Sequence, residues 1–416
     1  MPRSWCSAAP AGVALALLLL ACVPLRAEVG VAGPEPYPHA AEPIGSVRQS
    51  YDGALTPELA VTTFRNFDRL FPARRVPRSK TERPLPAASE PLDSFPILIG
   101  GATWTLPQFL ERNRVTGLLV LQAGRIRLER YREGNTDHTR WMSMSVAKSI
   151  TATLIGAAIR EGRIGGLDDP VTRYLPVLAG TDWEGVTLRH VLTMSSGLGW
   201  SETYTDPASD RRRLLEAQIA QRPGALLAVM AGLHRVAPPG AINNYSTGET
   251  QVAAELLRAA VGMPLADYLA ARVWGPAGME ADATWCLDSP DGHEIGGSAF
   301  NATLRDYGRL GLFLLDEARP GGARVLPEGW VREAGSPQRL ANGAAIDYGL
   351  LWWPGTSPAA RADGAFMAQG IHGQYLYLNP ALDAVVVMWS ARPEPSGGAY
   401  LDDEAFLDAV AAALRR

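Results

Sequence analysis

The chain has 416 residues, of which 47% are hydrophobic and 20% are charged, and its formal net charge is -4 at pH 7. These values are typical of a globular protein with a large core, and they exclude a disordered, collagen-like or polytopic membrane chain. There is no excess of basic residues, so nucleic acid is not expected as a partner. Only two of the 39 basic residues are lysines, Lys80 and Lys148. A chain that otherwise uses arginine has a reason to keep an ammonium group, and we expect a specific role for one of them.

The N-terminus resembles an export signal over residues 1–27. An apolar run at Ala11–Val23 follows an early positive charge and is too short to span a bilayer comfortably. Two processing sites fit the sequence: a signal-peptidase site ending at Ala27, and a lipobox in which Cys22 becomes lipidated. Both predict export to the periplasm or to the envelope of a bacterium, with membrane attachment only through the signal or a lipid. Since Cys286 is the remaining cysteine, no internal disulfide is expected.

The rest of the chain divides into an arm and one domain. Residues 28–94 are rich in proline and predict a mostly irregular arm with one short helix near residues 56–70. A compact domain is expected over residues 95–416. Within it, residues 117–133 predict two strands around a turn, and a helical region is predicted from about residue 150 to residue 300.

The C-terminal part predicts a helix over residues 302–315, a hairpin over residues 375–389 and a terminal helix over residues 402–414. Strands from both ends of the domain enclose a helical middle. We therefore predict an α+β fold, an α/β sandwich with one antiparallel sheet built from both termini, flanked by helices, and an inserted all-helical region.

A serine and a lysine lie at the start of the most apolar predicted helix, Val146–Gly162. Lys148 is inside this helix, where an unpaired ammonium is costly and the pKa falls. Ser145 is three residues earlier, which places the amine within reach of the hydroxyl on one helix face. A neutral lysine in a dry site can activate a serine, so this pair predicts a nucleophile and its base. The alternative is that Ser145 only caps the helix and Lys148 extends to water.

Other catalytic and binding motifs are missing from the sequence. No G-x-S-x-G elbow, P-loop or dinucleotide-binding glycine fingerprint occurs, and the six histidines are scattered without metal-ligand spacing. We therefore expect no metal and no cofactor.

Five segments resemble, in order, motifs of the serine β-lactamase and penicillin-binding-protein superfamily. The resemblance covers roughly residue 95 to the C-terminus, and it is closest to the class C-like esterase branch that includes the 6-aminohexanoate-dimer (nylon oligomer) hydrolases. The matching segments are Met144–Ser149 (S-x-x-K), Leu192–Leu198, Asn244–Gly248 (Y-x-N or Y-x-S), Ala302–Tyr307 and Gly370–Gln374, which falls where β-lactamases carry K-T-G.

The resemblance implies roles for individual residues. Ser145 would be the acylated nucleophile and Lys148 its base, while Tyr245 would pass a proton to the leaving group. The N–H groups of Ser145 and Gln374 would form the oxyanion hole. The implied fold is that of the β-lactamases and transpeptidases.

The chain also departs from the β-lactamase pattern. Thr247 replaces the Asn of Y-x-N, and Ile371 and His372 stand where β-lactamases have the Lys and Thr of K-T-G. Because that lysine binds the β-lactam carboxylate, Ile371 argues against strong β-lactam turnover. The pair His372-Gly373 is similar to the nylon-oligomer hydrolase pattern, and Tyr204 resembles a loop tyrosine that closes over their substrate.

The sequence thus predicts an exported serine hydrolase of small amides or esters that acts through an acyl-enzyme on Ser145. One alternative is a β-lactamase or D-alanyl carboxypeptidase of the cell envelope, and another is an inactive envelope-binding homologue. The sequence does not indicate the natural substrate or the oligomeric state.

Overall fold

A computed structural model describes residues 37–416 of the chain, and residues 38–416 form one compact unit. The predicted export signal, with its candidate lipobox at Cys22, lies outside the described residues. In the described part, none of the helices has both the length and the apolar character needed to cross a membrane.

Thirteen α-helices are present in the described residues. In chain order they are α1 Val47–Asp52, α2 Pro57–Phe64, α3 Leu106–Arg112, α4 Val146–Arg160, α5 Leu188–Leu192, α6 Asp210–Ile219, α7 Ala225–Ala231, α8 Thr247–Val261, α9 Leu265–Leu269, α10 Leu304–Leu315, α11 Trp330–Ala334, α12 Pro358–Ala362 and α13 Asp403–Leu414.

Fourteen strands accompany them between residues 37 and 416. They are β1 Ala73–Val76, β2 Ile97–Ile99, β3 Ala102–Trp104, β4 Val115–Gln122, β5 Arg125–Tyr131, β6 Arg140–Met142, β7 Ala283–Cys286, β8 Phe300–Thr303, β9 Gln338–Arg339, β10 Ala345–Ile346, β11 Trp353–Pro354, β12 Phe366–Gly370, β13 Gln374–Asn379 and β14 Ala384–Ser390.

The main sheet has six antiparallel strands in the order β11-β12-β13-β14-β4-β5. Strands β4 and β14 come from opposite ends of the domain and pair along their length, with Val120 opposite Val386. Both strands are mostly apolar and almost fully buried because the sheet is covered on both faces. One face packs on α10 and α4 in the larger core, and the other packs on α3 and α13. The predicted α+β sandwich, with one antiparallel sheet built from both termini, is confirmed.

A second sheet was not predicted. Its four strands run in the order β1-β7-β8-β6, and two of them, β7 and β8, lie at the end of the region predicted to be all helical. Strand β8 also occupies the first residues of the predicted helix 302–315, which begins instead at Leu304 after the cap residue Thr303. Because β6 leads through Ser143 and Met144 into α4, this sheet fixes the place where α4 begins.

The structure gives the segment before residue 95 a different role from the predicted irregular arm. It contains two helices, and β1 pairs with β7 in the second sheet. The helices bury Tyr51 and Phe64 in the larger core, and the side chain of Val76 is fully buried. The compact unit thus begins near residue 38 rather than near Phe95. The sequence did not indicate this, because the few apolar residues of the segment are separated by proline-rich stretches.

Candidate active site

The start of α4 holds Ser145 at the surface of an otherwise buried segment. Met144, just before it, has a left-handed backbone with a φ of 42°, which is unusual for a residue other than glycine and is typical of a strained functional turn. The Ser145 side chain makes no capping hydrogen bond to the helix. Among its neighbours on α4, Val146 to Ala158 are all buried, whereas Ser145 is half-buried. The hydroxyl is therefore free to react, and the alternative of a helix cap is not observed.

Lys148 lies below Ser145 and is only 1% exposed, so it does not extend to water. Its Nζ lies 2.9 Å from Ser145 Oγ, 2.9 Å from Thr247 Oγ1 and 2.9 Å from the Gly297 carbonyl oxygen. Burial lowers the pKa of Lys148 to about 7, because desolvation penalises the ammonium form. A large fraction of the amine is therefore neutral near neutral pH.

The three partners fix the direction of the Lys148 lone pair. The Gly297 carbonyl can only accept a hydrogen bond, and Thr247 Oγ1 uses its own proton to bind Glu202 Oε1 at 2.5 Å. A neutral amine has two N–H donors, and these two acceptors take both. In this neutral form the lone pair would face the Ser145 hydroxyl, which is the arrangement needed to remove its proton.

Glu202 was not among the predicted site residues. Its carboxylate accepts from the Thr247 backbone N–H at 2.9 Å and from Trp200 Nε1 at 2.5 Å, in addition to the Thr247 hydroxyl. It also tends to raise the pKa of Lys148, opposing the larger effect of burial. The only indication of Glu202 in the sequence was its place two positions before Tyr204, and an acidic residue in a polar loop is not by itself evidence of a role. The Gly297 carbonyl was also missed, because a backbone acceptor leaves no mark on residue type.

Tyr245 lies beside Ser145 and Lys148, and its ring centroid is 5.2 Å from Lys148 Nζ. Burial raises the pKa of Tyr245 well above its ordinary value, and a hydrogen bond with Ser145 opposes this rise. The phenol is thus protonated at neutral pH and suited to donate a proton.

Two further aromatic side chains pack against Tyr245. The ring of Trp353 stacks on it with centroids 5.5 Å apart, and Tyr348 meets it edge-on at 6.0 Å. Trp353 is half-exposed, whereas Tyr348 is buried. These rings hold Tyr245 in place and give the site an apolar wall.

Tyr204 lies near the predicted site but in a largely buried setting. Burial raises its pKa above the ordinary value, and the neighbouring Glu202 and Tyr245 act in the same direction. Its ring meets the ring of Tyr51 edge-on at 6.1 Å. The structure therefore places Tyr204 in the neighbourhood of Glu202 and Tyr245, packed against Tyr51.

The segment matched to K-T-G forms the turn between two strands, whereas the sequence predicted one strand after it. Strand β12 ends at Gly370, and β13 begins at Gln374, its register partner. A Cβ on Gly370 would lie 3.1 Å from the backbone nitrogen of Ser145. The end of β12 is therefore packed against the backbone of residues 143–145, which we call the nucleophile segment. Gln374 lies on the inner strand, and its buried side chain accepts from Trp141 Nε1 at 2.9 Å.

The oxyanion role predicted for Gln374 belongs to its backbone N–H, and the turn before it offers a second candidate donor at Ile371. Within residues 37–416, the backbone N–H groups of Ser145 and Ile371 donate to no protein acceptor. Ile371 directly follows Gly370 at the end of the strand that contacts Ser145. Two free N–H donors at adjoining backbone segments are what an oxyanion site requires.

His372 and Gly373 shape the turn that follows. His372 is buried in a left-handed conformation with a φ of 67°, and its Nδ1 lies 2.7 Å from the Arg392 carbonyl oxygen. Burial lowers the pKa of His372 to about 4, so the ring is neutral. Gly373 has a φ of 84°, and a Cβ there would lie 2.8 Å from the Arg392 guanidinium. Both residues stabilise the turn, and their contacts do not include Ser145.

Comparisons with known proteins identify the family of the chain. The profile of the family described as Beta-lactamase matches residues 105–411. The 6-aminohexanoate-dimer hydrolase of Paenarthrobacter ureafaciens is 31% identical over 327 residues, which cover 73% of this chain and 82% of the relative.

Solved structures show the same fold. A structure titled as a putative 6-aminohexanoate-dimer hydrolase from Bacillus anthracis superimposes with a TM-score of 0.73 at 24% identity, covering 85% of this chain and 92% of its own. A D-stereospecific amidohydrolase from Streptomyces superimposes with a TM-score of 0.54 at 20% identity, covering 72% of this chain and 94% of its own. The chain belongs to the Beta-lactamase family of serine hydrolases.

Proposed function

We propose that this chain is an exported serine hydrolase that cleaves small amides or esters through an acyl-enzyme on Ser145. The observation that carries the proposal is the hydrogen-bond arrangement of Lys148. Two of its contacts are acceptors and the third is the Ser145 hydroxyl, so the neutral amine is oriented as the base.

In the acylation step, Ser145 Oγ attacks the substrate carbonyl carbon and its proton passes to Lys148 Nζ. The carbonyl π bond becomes an oxyanion, which the N–H groups of Ser145 and Ile371 stabilise in place of the predicted Gln374 donor. Each such donor typically contributes about 3 kcal/mol to transition-state stabilisation. When the tetrahedral intermediate collapses, Tyr245 donates a proton to the departing nitrogen or oxygen and regains one from Lys148. Water then hydrolyses the acyl-enzyme by the same groups in reverse.

The apolar wall favours a substrate with an uncharged chain next to the scissile bond. Trp353 and Ile371 are half-exposed apolar side chains, on the Tyr245 side of the site and at the end of β12 respectively. The name of the Paenarthrobacter relative suggests a linear amide, the 6-aminohexanoate dimer, as the first substrate to test.

Labelling at Ser145 tests the mechanism. The purified protein is incubated with a fluorophosphonate, and its intact mass is measured beside that of Ser145→Ala. We expect one adduct on the wild type and none on the variant. Failure to label the wild type, or equal labelling of both, contradicts the proposal. Ser149→Ala is the matched control, since Ser149 Oγ is buried and donates to the Leu351 carbonyl, and it should label normally.

A substrate panel then separates the alternatives. Rates are compared for short esters, the 6-aminohexanoate dimer, a D-alanyl-D-alanine peptide and a chromogenic cephalosporin. We expect hydrolysis of the ester or of the linear amide to exceed that of the last two. The opposite order would favour an envelope β-lactamase or carboxypeptidase.

Export and anchoring form a separate part of the proposal. Expression of the full chain and of Cys22→Ser in a bacterium, followed by fractionation, tests both processing routes. Lipidation at Cys22 predicts a membrane-bound wild type and a variant that is released from the membrane. Retention of both in the cytoplasm would contradict export.

A further inference from the structure

Helix α1 has no part in the mechanism above, yet it lies against the loop that carries Glu202 and Tyr204. Tyr51, near its end, is 3% exposed. The Tyr51 ring meets the Tyr204 ring at 6.1 Å between centroids and an interplanar angle of 62°. A residue from the N-terminal segment thus forms part of the packing around the active-site loop.

Tyr51 also binds the Arg211 guanidinium, which lies beside Glu202. The Arg211 guanidinium lies 4.5 Å from the centroid of the Tyr51 ring and donates a hydrogen bond to the Tyr51 hydroxyl. Arg211 Nε is 3.9 Å from Glu202 Oε1, and the Arg211 side chain is only 3% exposed. Because these charges are shielded from water, their attraction is stronger than at the surface.

The neighbouring pair, Asp52 and Arg212, connects α1 to the backbone of the loop. Arg212 Nη1 donates to Asp52 Oδ1 at 2.6 Å and to the Tyr204 carbonyl oxygen at 3.1 Å. The Arg212 side chain is 6% exposed, so this guanidinium is held in one place. It links the end of α1 directly to the backbone of Tyr204, two residues after Glu202.

The loop has other attachments on either side of Tyr204, including the hydrogen bonds that Glu202 accepts from Trp200 and Thr247. Ser201 N donates to Asp210 Oδ2 at 2.9 Å, and Ser209 Oγ donates to the Thr203 carbonyl at 2.7 Å. At Tyr204 itself, Tyr51 supplies the ring contact, and Asp52 binds the guanidinium that donates to the Tyr204 carbonyl oxygen.

We propose that Tyr51 and Asp52 are positioning residues, which hold Glu202 and Tyr204 in the geometry needed for catalysis at Ser145. This inference rests on the proposed hydrolase function. Small displacements of a preorganised site are costly, so loosening the loop slows the reaction although neither residue touches the reacting atoms.

The test compares Tyr51→Phe, Asp52→Ala and their double variant with Arg48→Ala. Arg48 is a matched control because it also joins α1 to α6, through an exposed ion pair with Glu216 at 2.6 Å, but does not contact the loop. For each protein we would measure kcat/KM for the best ester or amide, the thermal midpoint, and hydrogen–deuterium exchange over residues 201–208.

We expect each of the two single variants to lose at least fivefold in kcat/KM and the double variant more than tenfold, with faster exchange in the loop. Arg48→Ala should match the wild type in both readouts. Asp52→Glu should recover part of the activity lost in Asp52→Ala. Unchanged kcat/KM and exchange in the double variant would overturn the inference, as would losses that follow the thermal midpoint in all variants alike. If the wild type hydrolyses nothing, the proposed function fails, while the exchange data still decide whether α1 holds the loop.

Discussion

The reactivity proposed for Ser145 depends on the protonation of one neighbouring amine. Of the two lysines in the chain, Lys80 is exposed and Lys148 is buried at the site. An arginine would remain protonated in this place and could not accept a proton. The unusual preference for arginine elsewhere therefore marked this position from the sequence alone.

We predict that kcat/KM falls on the acid side with an apparent pKa of about 7, the pKa of Lys148. Below this pH the amine is protonated and has no lone pair for the Ser145 proton. At pH 5 roughly one molecule in a hundred retains the neutral base, and the rate should fall accordingly. The measurement is a pH profile of kcat/KM for a substrate without titrating groups.

The variant Glu202→Gln tests the assignment of this pKa. Glu202 tends to raise the pKa of Lys148, so loss of its charge should move the acid limb to lower pH. Glu404→Gln, at a half-buried position of α13 where the carboxylate accepts from Thr356, should leave the profile unchanged. An acid limb that keeps its position in Glu202→Gln would assign the titration to a different group.

At the residue scale, the sequence was informative where side-chain chemistry is specific. The structure brings Ser145, Lys148, Thr247 and Tyr245 together, because fixed spacing on α4 and at the start of α8 sets their positions. The Gly297 carbonyl and the Ile371 N–H are backbone groups, whose availability depends on tertiary structure rather than on residue type.

At the element scale, long helices and paired strands were easier to predict than short strands. Helix α4 was predicted over Val146–Gly162 and spans Val146–Arg160, and the turn at Ala123-Gly124 separates β4 from β5. Strands β6, β7 and β8 have three or four residues, too few to show an alternating pattern against the surrounding helices. Strand β12 was missed as well, and with it the true neighbour of the nucleophile segment.

The close packing of β12 against that segment predicts a severe effect for Gly370→Ala. The new Cβ would lie 2.6 Å from the Ser143 carbonyl oxygen and 3.1 Å from Ser145 N, and backbone atoms cannot move away cheaply. We expect kcat/KM to fall by about 10²- to 10³-fold, because both proposed oxyanion donors would be displaced. The measurement is steady-state hydrolysis, with circular dichroism to verify the fold.

Gly166→Ala provides the control for this substitution. A Cβ at Gly166 meets no atom within 4 Å and its φ is not left-handed, so activity should be unchanged. If Gly370→Ala were as active as Gly166→Ala, the end of β12 would have no part in the oxyanion site.

At the scale of the whole molecule, the segment before residue 95 is part of the folded unit and of the proposed site. Its helices α1 and α2 reach two loops of the active site: Tyr51 packs on Tyr204, and Phe64 lies 4.7 Å from His372 between ring centroids. Strand β1 completes the sheet that leads into α4. The sequence hid this role because proline-rich stretches separate the few apolar residues that do the packing.

We therefore predict that a chain beginning at Pro38 folds like the full-length protein, whereas a chain beginning at Phe95 does not. The second truncation removes the fully buried side chains of Phe64 and Val76, and it leaves the edge of β7 unpaired. Each such side chain contributes about 1.5–3 kcal/mol by burial, against a total stability of about 5–15 kcal/mol for a typical domain. Calorimetry should show one cooperative transition for the first chain and none for the second. A shortened chain from Phe95 with an unchanged transition and normal fluorophosphonate labelling would show that the N-terminal segment is dispensable, because the core and the catalytic centre would then be complete without it.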